Sequence, residues 1–255
     1  MLFDSHAHLD DKRFDNDRSE VIARATEAGL VGIINAGACM GSSARSVALS
    51  AEHDIIYAAV GIHPHDAKDA RDSDYDQLAA WHSRPKVVAI GEIGLDYYYD
   101  LSPRDVQRQV FIRQLDVARQ LNKPIIIHDR DAHGDVLAIV KKEGKGLTGV
   151  FHCFSGSLEM AKEVIRLGFY VSFAGPVTYA KDGKLKEVAA NIPLECLLVE
   201  TDCPYLTPQP LRGRRNEPAH VKYTAQEVAM VRGMELAALA ATATANTERL
   251  FGISR

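Results

Sequence analysis

Short apolar runs rich in Val, Ile and Phe alternate along the chain with longer segments in which apolar residues recur at helical spacing. Most of the runs show no strict alternation of apolar and polar positions, which is typical of parallel strands that are buried on both faces. We therefore predict eight strands, at residues 2–6, 31–36, 55–62, 87–91, 124–128, 147–152, 169–173 and 197–202.

The segments between the runs predict helices at about 17–29, 42–52, 74–82, 102–121, 132–143, 158–167 and 184–190, and the tail from residue 220 predicts closing helices. Asp17 with Glu20 three residues later resembles a capping box, and Ser102 before Pro103 predicts an N-cap followed by proline at the first helical position. The repeated strand-then-helix rhythm predicts an α/β fold, a single (β/α)8 TIM barrel. A doubly wound open sheet is the alternative.

Length and composition agree with one such barrel. The chain has 255 residues, of which 46% are hydrophobic and 25% charged, and no linker or low-complexity stretch divides it. We therefore expect one domain covering residues 1–255. The net charge of −4 argues against a broad basic surface that follows duplex nucleic acid, although it leaves room for a locally positive pocket.

No segment resembles a signal peptide or reaches the length of an apolar membrane span, so we expect a cytoplasmic protein that does not bind membranes. The cysteines form no C-x-x-C pair, and a chain with this much core needs no disulfide framework. We interpret Cys39, Cys153, Cys196 and Cys203 as reduced packing residues. No feature predicts an obligate protein partner.

Polar side chains stand at the carboxyl ends of six predicted strands. The first strand ends in His6-x-His8, and histidines at i and i+2 of a strand share a face and can bind one metal ion. In a barrel all the carboxyl ends converge on the face that carries the active site. The other strand ends are Gly61-Ile62-His63-Pro64-His65, Gly91-Glu92, His128, His152 and Glu200-Thr201-Asp202.

Four of these imidazoles and two of these carboxylates at one place predict a site for divalent ions of the Zn, Mn, Fe or Co kind, and the oxygens also admit Mg. Each histidine alone has a simpler explanation, a hydrogen bond to a loop, but coincidence at six strand ends disfavours it. Two ions fit better than one, because six protein ligands would saturate a single zinc. Glu92, on the central fourth strand, is the natural bridge between them.

Six motifs, spread in order over the chain, resemble the signatures of the TatD family of metal-dependent deoxyribonucleases. The resemblance covers essentially the whole chain and implies a barrel of the metal-dependent hydrolase type. It also implies one ion held by His6, His8, Glu92 and Asp202, and another held by Glu92, His128 and His152. The motifs are FDSHAHLD from residue 3, GIHPH from 61, GEIGLDYY from 91, HCFSGS from 152, ETDCPYL from 200 and RGRRNEP from 212.

The resemblance and the residue chemistry agree on a mechanism. A hydroxide bridging two divalent ions, whether Zn, Mg or Mn, would attack a phosphodiester, since paired ions stabilise both the attacking and the leaving oxygen. Asp202 would accept a proton from the nucleophile, and His63 would bind phosphate or protonate the leaving oxygen. Together with the bridging Glu92, these are the expected catalytic residues.

Substrate binding is expected on the same face of the barrel. The sequence leaves an alternative open for each candidate: a solvated loop for the arginines, helix capping by Ser157, and packing for the tyrosines at 97–99. The candidates are phosphate contacts from His63, Arg130, Ser155, Arg212, Arg214 and Arg215, and base stacking by Tyr97.

A pocket ringed by eight loops admits a free strand end more readily than the middle of a duplex. We therefore expect a deoxyribonuclease with 3′-5′ exonuclease-like action on single-stranded DNA ends. A metal-dependent amide or ester hydrolase acting on a small molecule or an aminoacyl-RNA end stays open, because related barrels use the same ligands. A non-enzymatic metal-binding scaffold is the third possibility, which the complete set of six ligand positions disfavours.

Overall fold

The computed structural model describes residues 1–181 and 183–254, and its centre is one sheet of parallel strands in sequential order. The seam between the first and last strands is joined by the His8 N–H donating to the Cys203 carbonyl at 2.8 Å and the Asp202 N–H donating to the His6 carbonyl at 2.9 Å. The predicted (β/α)8 barrel is confirmed, and the open-sheet alternative is wrong because this seam is joined. The strands are β1 (Leu2–Ala7), β2 (Leu30–Ala36), β3 (Ile56–Val60), β4 (Val87–Asp96), β5 (Ile125–Arg130), β6 (Gly149–Phe151), β7 (Phe169–Phe173) and β8 (Leu197–Val199).

Helices connect the strands around the outside of the barrel. The connecting helices are α1 (Arg18–Glu27), α2 (Met40–Glu52), α3 (Asp72–Trp81), α4 (Arg104–Leu121), α5 (His133–Glu143), α6 (Leu158–Arg166) and α7 (Lys184–Asn191). The last two helices, α8 (Val221–Val231) and α9 (Leu236–Phe251), pack against β1 and β8. Short 3₁₀ helices lie at Lys12–Phe14, Pro64–Asp69, Gly175–Thr178, Leu194–Cys196, Gln209–Leu211 and Pro218–His220.

Strand residues alternate between two separate apolar clusters. Ile125 and Ile127 pack beneath the helices, whereas Ile126 points into the barrel with residues from the other strands. Because side chains on a strand alternate with period two, the next inward position after Ile126 is His128. In β6 the same alternation places His152 on the inward face, two residues after Val150. The inward cluster forms an apolar floor of Phe3, Ile34, Val88, Ile126, Val150 and Leu198, covered by Leu250, Phe251 and Ile253.

The fourth strand is longer than predicted. The pattern ends it at Gly91, but β4 continues to Asp96 and pairs with β5 through Gly94 opposite His128 and Asp96 opposite Arg130. Gly94 makes this possible, since its φ is 143° and an added Cβ would lie 2.0 Å from the His128 carbonyl oxygen. Glu92 and Asp96 therefore both lie within a strand, not in the loop after it.

The two predicted helix caps are wrong. Asp17 precedes α1 but makes no capping hydrogen bond, because its carboxylate binds the Arg215 guanidinium at 2.6 Å. Ser102 does not cap α4, which begins after Pro103. Its hydroxyl instead donates to the His65 carbonyl at 2.8 Å and accepts from the Lys68 N–H at 3.1 Å. In both cases a tertiary contact replaces the local one.

Within residues 1–181 and 183–254, no single helix combines the length and hydropathy needed to cross a membrane. The stretches Pro218–Val231 and Leu236–Phe251, bent by 112° at their junction, satisfy the length and composition criteria only when taken together.

Candidate metal centre

Glu92 lies at the middle of a cluster of histidines above the apolar floor. Its Oε2 atom is 3.5 Å from the Nε2 atoms of both His6 and His8. Its Oε1 atom is 2.8 Å from His128 Nδ1 and 2.7 Å from His152 Nε2. Each carboxylate oxygen thus faces its own pair of histidines, which is the arrangement that a bridging ligand requires.

The spacing of the donor atoms fits divalent ions. His6 Nε2 and His8 Nε2 are 3.1 Å apart, and Asp202 Oδ1 lies 3.3 Å from His8 Nε2 and 3.7 Å from His6 Nε2. Ligands bound tetrahedrally at about 2.1 Å from one ion lie about 3.4 Å from each other. Groups that can hold an ion in the described chain are His6, His8 and Glu92; His6, His152 and Asp202; and His63, Glu92 and His128.

Hydrogen bonds on the outer side of the cluster orient three of the imidazoles. His8 Nδ1 donates to the Ala36 carbonyl at 2.9 Å, and His128 Nε2 lies 3.0 Å from Asp96 Oδ2. His152 Nδ1 lies 3.3 Å from Glu200 Oε1. In each neutral ring the proton is held on the outer nitrogen, so the inner nitrogen presents a lone pair. Metal-binding histidines usually have such outer partners.

The carboxylates of the cluster draw protons onto neighbouring histidines when no other cation is bound. Burial raises the pKa of Glu92, but the histidines around it, His152 and His63 foremost, lower that pKa well below its usual range. Burial lowers the pKa of His8, but its hydrogen bond to Asp202 and the charge of Glu92 raise that pKa to about 9. Protons therefore occupy, in the metal-free chain, the place where divalent ions fit.

His63 presents a donor to this cluster. Its Nδ1 atom accepts the His65 N–H at 3.1 Å, so the proton of the neutral ring lies on Nε2, which is 3.6 Å from Glu92 Oε1. Burial, and next the neighbouring His128, lower the pKa of His63 well below its usual range, so the ring is neutral. This tautomer suits a hydrogen bond to a phosphate oxygen better than a bond to a metal.

Asp96 connects the cluster to the loop after β4, and the sequence did not reveal this role. Its Oδ2 atom lies 3.0 Å from His128 Nε2 and 2.9 Å from His65 Nε2. Its Oδ1 atom accepts the backbone N–H groups of Tyr98 and Tyr99 at 3.0 and 2.8 Å. The available signal was its position, four residues after Glu92 on one strand.

Two more carboxyl groups, to which the sequence pattern assigned no role, are buried beside the cluster. Glu200 Oε1 accepts the Cys153 N–H at 2.7 Å besides facing His152. Asp4 accepts the Thr201 N–H at 2.9 Å and the Thr201 hydroxyl at 2.5 Å. Burial raises the pKa of Asp4 to about 8 in spite of these hydrogen bonds. Glu200 thus fixes the backbone next to His152, and Asp4 fixes the backbone next to Asp202.

The four candidate arginines have different surroundings. The Arg215 guanidinium binds Asp17 at 2.6 and 2.8 Å, so it is engaged within the protein. Arg212 is exposed, and its guanidinium lies 4.3 Å from the centre of the Tyr179 ring. Arg214 is also exposed. The Arg130 guanidinium stacks on the Tyr98 and Tyr99 rings at 4.1 and 4.7 Å.

Tyr97 makes its contacts within the protein, whereas Ser155 is exposed. The Tyr97 hydroxyl donates to Asp135 at 2.6 Å, and the Arg104 guanidinium covers its ring at 4.2 Å. Ser155 is exposed, and Ser157 caps α6 by accepting the Met160 N–H at 3.2 Å. The alternatives that the sequence left open, packing for Tyr97 and capping by Ser157, describe these contacts.

Comparisons with known proteins place this chain in a family. A family model described as TatD related DNase matches residues 3–252. The chain is 47% identical over 255 residues to the uncharacterized metal-dependent hydrolase YabD of Bacillus subtilis (strain 168), with all of both proteins covered. It is 36% identical over 259 residues to the protein named 3′-5′ ssDNA/RNA exonuclease TatD of Escherichia coli (strain K12), covering 99% of this chain and 100% of that one.

The fold agrees with these matches. The crystal structure of YjjV, a TatD homolog from Escherichia coli K12, matches with a TM-score of 0.92 at 31% identity, over 99% of this chain and 98% of that one. The family resemblance of the six motifs is confirmed, and a metal-dependent hydrolase agrees with the donor set around Glu92. The chain therefore belongs to the TatD related DNase family of metal-dependent hydrolases.

Proposed function

We propose that the chain is a deoxyribonuclease that uses two divalent ions and removes nucleotides from the 3′ ends of single-stranded DNA. The observation that carries this proposal is Glu92, whose two oxygens face separate groups of histidines. Relatives named 3′-5′ ssDNA/RNA exonuclease support the substrate and the polarity. A cytoplasmic location belongs to the same proposal and is supported by the four free thiols.

The proposed ligand sets share Glu92. His6, His8 and Asp202 would complete one set, and His128 and His152 the other. Zn, Mn and Mg are the candidates, because mixed nitrogen and oxygen ligands suit the first two and carboxylates admit the third. Divalent ions bound there would lower the pKa of water near the phosphate and neutralise charge that develops on phosphoryl oxygens.

Asp202 is the proposed proton acceptor. Its Oδ1 atom faces His6 and His8, and its side chain retains some contact with solvent. Burial raises the pKa of Asp202, but the His8 hydrogen bond and the nearby histidines lower it below its usual value, so the carboxylate is ionised. An ionised carboxylate beside the nucleophile can take its proton and release it to solvent.

His63 is the proposed phosphate contact. Its Nε2–H group points toward Glu92, and no ring proton has to move for it to donate to a nonbridging oxygen. The exposed Arg212 and Arg214 remain proposed contacts to phosphates farther along the strand. Arg215 is a weaker candidate, because it would have to leave Asp17 first.

The test uses metal-loaded protein with a 5′-labelled linear single strand and with an internally labelled circle of the same sequence. We expect shortening of the linear strand from its 3′ end, resistance of the circle, and loss of activity with a chelator. Asp202→Asn should lower kcat by about 100-fold or more, while the control Asp116→Asn, at an exposed ion pair on α4, should have little effect.

Equal cutting of the circle would contradict the exonuclease, and full activity of metal-loaded Asp202→Asn would remove Asp202 from proton transfer. An enzyme inert on DNA that turns over esters or amides would contradict the proposed substrate class.

A further inference from the structure

We propose that two aromatic surfaces on opposite sides of the metal centre stack the two bases that flank the scissile phosphate. This inference rests on the proposed function and specifies how its substrate is held. The first surface, the strand-4 platform, consists of Tyr98, Tyr99 and Arg130. The second, the strand-8 platform, consists of Tyr205 and Arg13.

The strand-4 platform is exposed and cationic. Tyr98 and Tyr99 are 57% and 53% exposed, although both follow a strand whose residues are all buried. Their rings meet edge to face with centroids 4.9 Å apart, and the Arg130 guanidinium stacks on both. Aromatic rings and guanidinium planes are the groups on which unpaired bases stack in single-stranded nucleic acid complexes.

Asp96 fixes this platform relative to the metal centre. Its carboxylate holds the Tyr98 and Tyr99 backbone N–H groups with one oxygen and faces His128 with the other. The Tyr99 ring also meets the His65 ring edge to face at 5.4 Å. A base on the platform therefore lies beside the His128 side of Glu92.

The strand-8 platform lies on the other side of Glu92. Tyr205 is 46% exposed, its ring is 6.1 Å from that of His8, and the Arg13 guanidinium lies 4.1 Å from its centre. Its hydroxyl donates to Asp11 Oδ2 at 3.3 Å, which holds the ring in place. His8 faces Glu92 Oε2 whereas His128 faces Oε1, so the two platforms flank the carboxylate.

This arrangement selects a class of substrate. Stacking uses the face of a base, which all bases share, so it tolerates any sequence. In a duplex both faces of a base are covered by neighbouring pairs, so two separate stacking surfaces require an unpaired strand. Arg130 adds a positive charge that favours the phosphate next to the base stacked on the strand-4 platform. Arg13 contributes the flat face of its guanidinium, since its charge is paired with Asp11 at 2.9 Å.

The direct test places one 2-aminopurine at successive positions from the 3′ end of a single strand whose terminal linkages are phosphorothioates. We expect quenching of its fluorescence on binding to the metal-loaded protein at the last two positions, and none further in. The double variant Tyr98→Ala with Tyr99→Ala should abolish quenching at one of these positions. Tyr205→Ala should abolish it at the other. The matching Tyr→Phe variants should retain it.

Tyr170→Ala is the control, since Tyr170 also lies beside an arginine, Arg249 at 5.8 Å, but near the amino-terminal end of β7. The Tyr170→Ala variant should quench 2-aminopurine fluorescence at both positions as the unaltered protein does. A second arm measures hydrolysis of strands with an abasic residue at either position. Loss of a base or of its platform should raise KM by about 5- to 100-fold, and losing both should add little.

The outcomes separate the two proposals. Hydrolysis of DNA without quenching would overturn the platforms and leave the nuclease. So would additive increases in KM when an abasic residue and an alanine variant are combined. Position-specific quenching without hydrolysis of an ordinary phosphodiester would support the platforms and overturn the nuclease. If the protein neither quenches 2-aminopurine nor hydrolyses DNA, both the platforms and the nuclease are overturned.

Discussion

At the scale of single residues, the centre depends on carboxylates that lie behind the proposed metal ligands. Asp96 and Glu200 each face the outer nitrogen of a histidine, His128 and His152. A charged acceptor there fixes the tautomer and makes the inner nitrogen a better donor to a metal. The ligands and these partners therefore act as one unit.

Replacement of Asp96 tests this dependence. Asp96→Asn should weaken binding of divalent ions by about 10- to 100-fold, because the His128 tautomer loses its charged acceptor. Isothermal titration of metal-free protein with Zn²⁺ or Mn²⁺ measures the change. Asp129→Asn is the matched control, since Asp129 is the neighbouring β5 carboxylate and pairs with His133 at 2.8 Å. Equal affinities in Asp96→Asn and the unaltered protein would contradict the role.

His82 predicts a dependence of stability on pH that is separate from the metal centre. Burial, and next the charge of Lys123, lower the pKa of His82 to about 4 from 6.5. The unfolded chain therefore takes up a proton at higher pH than the folded one, and stability falls as pH drops from about 6.5 toward 4. Between pH 7.5 and 5 the loss from this residue should be about 2 kcal/mol.

The measurement is urea denaturation of the unaltered protein and of His82→Gln at both pH values. The variant should lose about 2 kcal/mol less than the unaltered protein, because the other titrating groups are common to both. Equal losses in the two proteins would show that His82 titrates normally.

Single residues also mark the limit of what the sequence predicts. The six proposed ligand positions stand at strand ends and could be proposed from the sequence, but Tyr97 could not be told from Tyr98 and Tyr99. Tyr97 faces Asp135 and its two neighbours face solvent, and the difference depends on where α4 and α5 pack. Such contacts join residues that are distant in sequence, and local patterns do not contain them.

At the scale of elements, β4 carries both the central carboxylate and its support. Its final segment pairs with β5 only because Gly94 allows the backbone to approach His128. The sequence pattern treats a glycine as the end of a strand, and so the predicted strand stops at Gly91. The predicted caps at Asp17 and Ser102 fail for a related reason, since arginine and loop contacts compete for those side chains.

Gly94→Ala tests the close approach. The added methyl group would collide with the His128 carbonyl oxygen, so we expect a loss of about 2 kcal/mol or more in unfolding free energy and weaker metal binding. Gly168→Ala is the control, because Gly168 also has positive φ, 94°, but an added Cβ there would have no neighbour within 4 Å. Similar losses in the two variants would show that backbone strain, not the collision, is responsible.

At the scale of the whole molecule, the barrel and its active face could be predicted because buried parallel strands leave a strong pattern. Eight apolar runs predicted the strand order, and the alternation of side chains carries the polar ends of β5, β6 and β8 to the inner face. In β1 and β4 a shift of register comes before the polar residues, and the sequence pattern did not predict it. Neither the seam between β1 and β8 nor the charge of the centre follows from composition. A chain with a net charge of −4 still presents arginines around an acidic centre that cations would neutralise. That residues 1–255 act as one domain stays a prediction.

The central claim, that Glu92 joins two ions in one hydrolytic centre, has a direct test in titration of metal-free protein with Mn²⁺ while hydrolysis of 5′-labelled single-stranded DNA is measured. The account predicts that the rate rises to a plateau at two equivalents per chain, and that Glu92→Gln neither binds the second equivalent nor reaches more than about 1% of that rate. A plateau at one equivalent, or uptake of two ions without hydrolysis, would contradict it.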